Sequence, residues 1–211
     1  GYGMPSYTLL GPQIIRFPFI LTSSYPHEIL HNWWGNSVYV DYLTGNWCEG
    51  LTAYLADHLY KEQQGQGAEY RRDTLKKYRD FVGEAHDFPL SEFRSRHSPA
   101  TEAVGYGKAL MLFHMVRRQI GDDTFRAGLQ RFYRENRGKR ASFTDFRKSM
   151  EAASKQDLAP LFTAFVERTG APDLRLANVG TRAKGGIYTI TGSIEQVQAG
   201  EDAVTRGRMA R

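Results

Sequence analysis

Two histidines four residues apart with a glutamate beside the first, His27-Glu28-Ile29-Leu30-His31, are the residues of this chain best placed to do chemistry. On a helix, residues four apart lie one turn above each other on the same face. His27 and His31 can therefore aim two imidazole nitrogens at one ion. Glu28, about 100° further round the helix, reaches beside that ion rather than onto it. Two nitrogen donors with an adjacent carboxylate suit zinc-assisted hydrolysis, in which the carboxylate takes the proton of an activated water. A catalytic zinc needs a third protein donor and one open position. Glu49, which opens the next expected helix, is the leading candidate, with Cys48 and Asp41 as alternative donors.

The surrounding residues place the motif on a helix over about 25–34. Ser24 reads as its N-cap, Pro26 as a first-turn proline and Gly35 as its stop. The plain alternative is a helix carrying two packed or surface histidines and a solvated glutamate. Glu49 stands three residues after Asn46, so a capping box is its ordinary role. Charge developing on a substrate carbonyl oxygen also needs a hydrogen-bond donor besides the ion. Tyr106 suits that role, because it begins a helix in Gly105-Tyr106-Gly107-Lys108, where flanking glycines leave its ring open to a cleft. A packed core tyrosine is the alternative. His58 and His114 lie on apolar helices and His86 and His97 in an irregular stretch, so all four read as structural.

The elements that must position these groups are mostly helical. Apolar residues keep helical spacing over 47–62, 68–83, 101–120, 122–136, 143–153 and 157–168. Residues 1–21 mix prolines and glycines with short β-favouring runs and read as one or two extended segments, an edge strand. Residues 36–46 read as an irregular connection, and 84–100 as the longest one. After Gly170-Ala171-Pro172 two alternating runs meet at Lys184-Gly185-Gly186 as a β-hairpin. The expected division is therefore a catalytic region over 1–170 and the start of a β module with a polar tail over 171–211.

The 211 residues suffice for one large or two small domains, and 41% hydrophobic with 24% charged residues is ordinary for a globular chain. A net charge of +5 is spread among interleaved acids, which argues against nucleic-acid binding. One cysteine leaves no internal disulfide framework. The longest apolar run, Ile14 to Leu21, is broken by Arg16 and Pro18, so no membrane segment is expected. A start at Gly1 without Met reads as a piece of a longer, multidomain protein.

The stretch HEILHNWWGNSVYV…NWCEGLTAYL resembles the catalytic core of the aminopeptidase N family of gluzincin zinc metallopeptidases. That family reads H-E-x-x-H, then W-x-G-N, then Glu-Gly, matched by Trp34-Gly35-Asn36 and Glu49-Gly50. Its oxyanion tyrosine sits in Y-x-K-G/A, matched by Tyr106-Gly107-Lys108-Ala109. IGDDTFRAGLQRFYREN (120–136) and FVERTGAPDL (165–174) are similar to further family motifs, so the resemblance covers roughly 1–195. It implies a mainly α architecture: a thermolysin-like zincin core with a helical bundle, a short N-terminal edge strand and a C-terminal β-hairpin. It also implies one Zn2+ per chain on His27, His31 and Glu49, Glu28 as general base, Tyr106 as oxyanion donor, and peptide substrates. Two departures stand out. Seventeen residues, Asn32 to Cys48, separate His31 from Glu49 where the family usually has eighteen. The family's G-x-M-E-N, whose Glu binds a free α-amine, is replaced by the substrate-side segment Gly3-Met4-Pro5-Ser6, so an anionic partner for that amine has to come from elsewhere, for instance Glu102. An endopeptidase or other zinc hydrolase without free-amine selectivity, and an inactive scaffold of the same fold, are the alternatives to an aminopeptidase.

Overall fold

The computed structural model describes residues 1–83, 86–198 and 205–207; part of the expected long connection and most of the polar tail lie outside them. The chain divides into two compact units, Gly1–Arg168 and Thr169–Arg211. The first is helix-rich with two small sheets.

It opens with a hairpin of β1 (Tyr2–Met4) and β2 (Tyr7–Leu9), paired antiparallel with Gly3 opposite Thr8. The turn places Ser6 at φ 67, and its N–H donates to Asn32 Oδ1 at 2.8 Å. The β-favouring run that follows is not a strand. Gly11 O accepts from both Ile14 and Ile15 N–H, and a 3-10 helix runs over Pro18–Thr22. The Gly11 turn takes up Ile14 and Ile15, Phe17 before the proline keeps an extended backbone, and Pro18 presets a helical φ at the first turn of the 3-10 helix.

Helix α1 (Ser24–Leu30) carries the His-Glu-x-x-His motif and stops before the expected residue 34. Asn32 Nδ2 donates to Ile29 O at 2.9 Å, and Asn36 N–H donates to His31 O at 3.0 Å. These bonds satisfy the terminal carbonyls and turn the chain back on itself at Gly35, whose φ is 109. The connection then pairs β3 (Tyr39–Val40) parallel with β4 (Arg140–Ala141) and makes a 3-10 turn at Tyr42–Thr44.

Two long helical runs form the rest of the site's frame. The first joins α2 (Cys48–Ala53) through a π-helical segment, Tyr54–His58, to α3 (Leu59–Gln63). The second joins α5 (Pro99–Glu102) through a π segment, Ala103–Lys108, to α6 (Ala109–Ile120). A Ser98/Thr101 capping box starts the second run. Between them lies α4 (Gly67–Phe81), and after them α7 (Asp122–Asn136), α8 (Phe143–Ser154) and α9 (Ala159–Phe162). The two runs cross at Gly50, where a Cβ would stand 2.3 Å from the Cβ of Ala109.

The core is aromatic. Trp34 stands edge-on to Trp47 and stacks near Phe132, which meets Phe146 at 5.2 Å between centroids. Trp47 Nε1 donates to Ala141 O at 2.7 Å, so β4 and the start of α2 are tied through the core. Each fully buried side chain of this size contributes about 1.5–3 kcal/mol. The second unit is a hairpin of β5 (Pro172–Lys184) and β6 (Ile187–Gln198), with β7 (Thr205–Gly207) added to β6. Gly185 and Gly186 both have positive φ in its tight turn, as two-residue hairpin loops require. Among the described residues no helix is long and apolar enough to cross a membrane.

Behind α2 and α3 lies a polar cluster. Arg117 bonds Glu62 at 2.6 Å, Tyr54 Oη at 3.3 Å and Asp122, while Arg71 lies 2.7 Å from His58 Nε2. Tyr54 Oη also meets His114 Nδ1 at 3.2 Å. Burial is the largest cause holding His58 and His114 at pKa values of about 4, with Arg71 and Arg117 reinforcing it against Glu62. Both histidines are therefore structural and neutral. The unfolded chain takes up protons at an ordinary imidazole pKa of 6.5, and the folded chain does so only near 4. Stability should thus fall as pH drops through that window. The expected observation is a Tm that decreases steadily from about pH 6.5 to about pH 4.5, with His114→Gln flattening the slope. A Tm constant across the window would show that these imidazoles are not buried neutral.

Candidate metal centre

Helix α1 and the first turn of α2 bring His27, His31 and Glu49 together. Glu49 Oε2 lies 3.3 Å from His27 Nε2 and 3.5 Å from His31 Nε2. One donor atom from each residue lies within 4.8 Å of the other two, the group among the described residues able to hold a metal. Donors around a tetrahedral zinc, each about 2.1 Å from the ion, stand about 3.4 Å apart. The two short separations meet that spacing, and two imidazoles with one carboxylate match zinc's preferred chemistry, so the residues fit the ion. The connection one residue shorter than the family pattern still sets Glu49 against both histidines.

Both imidazoles are fixed from behind. His31 Nδ1 lies 2.9 Å from Trp34 O, and a carbonyl can only accept, so Nδ1 carries a proton and Nε2 is the atom turned toward Glu49. His27 Nδ1 lies 2.7 Å from Asp57 Oδ2. Asp57 escaped the sequence reading because it stands eight residues after Glu49. On an uninterrupted α-helix that separation turns the side chain about 80° away, whereas seven residues return it to nearly the same face. The π segment Tyr54–His58 absorbs the extra residue and brings Asp57 onto the face that looks at His27. No residue type announces such a π turn.

The electrostatics of the metal-free cluster follow from these contacts. Burial disfavours a charged His27, yet its bonds to Asp57 and Glu49 outweigh this and raise its pKa to about 9. Burial likewise opposes a charged Glu49, and His27 and His31 reverse this, holding its carboxyl well below the usual carboxylate range. At neutral pH a proton therefore sits where a cation would.

Glu28 is buried on α1 and lines the cavity in front of the cluster, a space of about 670 Å³. Tyr106 borders the same cavity, its ring stacked 6.3 Å from His27. Burial chiefly, and then the Glu49 carboxylate, push its hydroxyl pKa up, so it stays protonated. Tyr106 does not begin a helix, as its glycine context had suggested. It lies inside the continuous run from Pro99 to Ile120, in the π segment, and Gly105 serves Phe93, whose ring a Cβ would overlap at 2.2 Å.

The remaining expected residues divide. Gly3 borders the cavity because β1 lies directly on α1; a Cβ there would be 2.6 Å from Glu28 O and His31 Cβ. Its carbonyl accepts from Asn36 Nδ2 at 2.8 Å. Met4, Pro5 and Ser6 turn away into the hairpin and do not line the cavity. Asp41 caps the 3-10 turn through Leu43 N–H, and Cys48 is a buried thiol whose pKa burial pushes up. Glu49 is no capping-box partner, since Asn46 N–H donates to Phe93 O. Glu102 does border the cavity, but its oxygens face Arg96 at 3.1 Å and Lys77 at 3.7 Å.

Because Asp57 fixes the His27 ring, Asp57→Asn should weaken zinc binding by about 10–100-fold while leaving the helical circular dichroism unchanged. Competition against a chromophoric chelator measures this. An unaltered affinity would remove Asp57 from the centre.

The model of the peptidase family M1 domain matches residues 22–165. The chain is 30% identical over 159 residues to aminopeptidase N of Haemophilus influenzae, covering 72% of this chain and 18% of that protein. It is 24% identical over 170 residues to the mitochondrial aminopeptidase 2 of Saccharomyces cerevisiae, covering 73% and 17%. The chain thus spans about a fifth of the length of these relatives. Its fold is similar to that of the M1 zinc metallopeptidase of Deinococcus radiodurans, with a TM-score of 0.57 at 22% identity, covering 70% of this chain and 33% of that one. It is also similar to aminopeptidase A of Legionella pneumophila, with a TM-score of 0.51 at 24% identity, covering 81% and 19%. The helical frame, the donor cluster and a family match across two thirds of the sequence agree: the chain belongs to peptidase family M1.

Proposed function

We propose that this chain is the catalytic region of a zinc-dependent peptidase, aminopeptidase-type in its ancestry, acting as part of a longer protein. The observation that carries this reading is the convergence of His27, His31 and Glu49 in one cavity with Glu28 and Tyr106. Family membership and the likeness to a Deinococcus radiodurans metallopeptidase bound to a Tyr-Ser-Ala substrate support it. One zinc held by His27 Nε2, His31 Nε2 and Glu49 Oε2 would supply a Lewis acid that polarises the scissile carbonyl and acidifies water.

The chain's own groups do the rest. Glu28, beside the donors and not among them, takes the proton of the attacking water on its carboxylate and delivers it to the departing amine nitrogen. Tyr106 keeps its hydroxyl proton and donates it as a hydrogen bond to the carbonyl oxygen while negative charge grows there. Asp57 and the Trp34 carbonyl hold both imidazoles in the tautomer that leaves Nε2 free to coordinate. The walls of the cavity bury the base and raise the strength of every one of these contacts.

A second reading, hydrolysis without selection for a free α-amine, is favoured by one observation. Glu102, the carboxylate of this cavity outside the donor cluster and its immediate partners, is already flanked by two cations.

Glu28→Gln should lower kcat for peptide hydrolysis by about 10²–10⁴-fold and leave one zinc per chain by elemental analysis. A Gln variant as fast as the parent would refute the assignment of the base. Comparing free and N-acetylated peptides separates the two readings: loss of turnover on acetylation marks an aminopeptidase, and equal rates mark the alternative.

A further inference from the structure

The wall of the cavity beside Tyr106 is built by three separate elements. Lys77 comes from α4, Glu102 from α5, and Arg96 from the connection that precedes α5. Arg96 Nη1 donates to Glu102 Oε2 at 3.1 Å, and Lys77 Nζ stands 3.7 Å from Glu102 Oε1. Two cations thus share one carboxylate, which leaves a surplus positive charge facing the cavity. The guanidinium has five N–H donors and the ammonium three, and a single carboxylate cannot engage them all. The side chains of Arg96 and Lys77 are 58% and 61% exposed. Ion pairs this exposed are weak, so an incoming anion can join them without dismantling a strong contact.

The surplus charge is also close to the reacting centre. The Arg96 guanidinium lies 5.7 Å from the centre of the Tyr106 ring, which itself stacks 6.3 Å from His27. One aromatic ring therefore separates the cation from a metal donor. That is the distance scale of a substituent on a residue flanking the scissile bond. An ammonium group placed there would meet two like charges; a carboxylate would meet a planar fork suited to paired hydrogen bonds.

We propose that Arg96 and Lys77, bridged by Glu102, form a carboxylate-binding subsite, so that the preferred peptide carries a negative charge next to the bond to be cut. This rests on the peptidase reading of the same cavity. The carboxylate can belong to an acidic side chain or to the peptide's own C-terminus, and both offer the same two oxygens.

Calorimetric titration of the zinc-loaded Glu28→Gln chain tests this without turnover. Two matched pairs of peptides are used: Ala-Asp-amide against Ala-Asn-amide for the side chain, and Ala-Ala against Ala-Ala-amide for the terminus. The acid of one pair should bind about three- to tenfold more tightly than its amide, and the pair that shows it identifies the source. Arg96→Gln with Lys77→Gln should erase that preference, while Lys76→Gln, outside this wall, should keep it. Equal or tighter binding of the amide in both pairs, or no binding of any of the four, overturns the subsite. Hydrolysis of the same peptides by the parent chain is scored separately. Acid preference in binding with no hydrolysis would leave the subsite standing and count against the catalytic reading.

Discussion

A single oxygen of Glu49 lies against the Nε2 atoms of two imidazoles inside a largely buried pocket. Buried charge is tolerated only where it is paired. Here the pairing spans two helices that share no local sequence, so their separation has to be held by packing. Gly50 permits the close crossing of α2 with α6, and any side chain there would drive Glu49 away from its partners. Trp34, Trp47 and Phe132 fix the return of the chain after α1. The aromatic core is therefore the ruler that sets a distance of a few ångströms at the site.

The π segments show how the fold corrects the phase of a helix. Each extra residue in a helical run rotates everything beyond it by about 100° relative to what precedes it. Between Glu49 and Asp57 that rotation is what lets one helical run contact His27 twice, once from the coordinating side and once from behind. A second π segment, Ala103–Lys108, carries Tyr106 beside the same imidazole. Widened turns bond less well than α-helical ones, and π-bulges concentrate where function requires a side chain off its regular position. Two of them frame this cavity.

What could be read in the sequence follows from how local each feature is. The relation of His27 to His31 needs only one helical turn, so spacing revealed it. Glu49 was legible as a residue type, but its seventeen-residue connection hid how it would meet the histidines until the β3–β4 pairing and the 3-10 turn were seen. Most helical runs were legible because their apolar stripes repeat over many residues. Residues 14–21 were not, since their β-favouring side chains compete with Gly11 and Pro18, and the turn-formers win. Asp57 was invisible because its position depends on a backbone bulge, and the Trp34 carbonyl because no side chain encodes it. Glu102 was legible as a carboxylate near the site, but its two cationic partners come from elements that only the fold brings beside it.

That last point bears on how charge is distributed within the cavity. At the centre, a divalent ion would be offset by the carboxylates of Glu49 and Glu28, and His27 shares its Nδ1 proton with Asp57. With Asp57 counted, three carboxylates would face one divalent ion, and the centre keeps a net negative charge. A surplus of cations at the periphery therefore acts against the sign of the centre, and it acts inside a cleft, where screening is weaker than on open surface. At the periphery Arg96 and Lys77 outnumber Glu102. The same carboxylate that could have drawn an ammonium group inward is neutralised by its neighbours, and one further cation decides the sign.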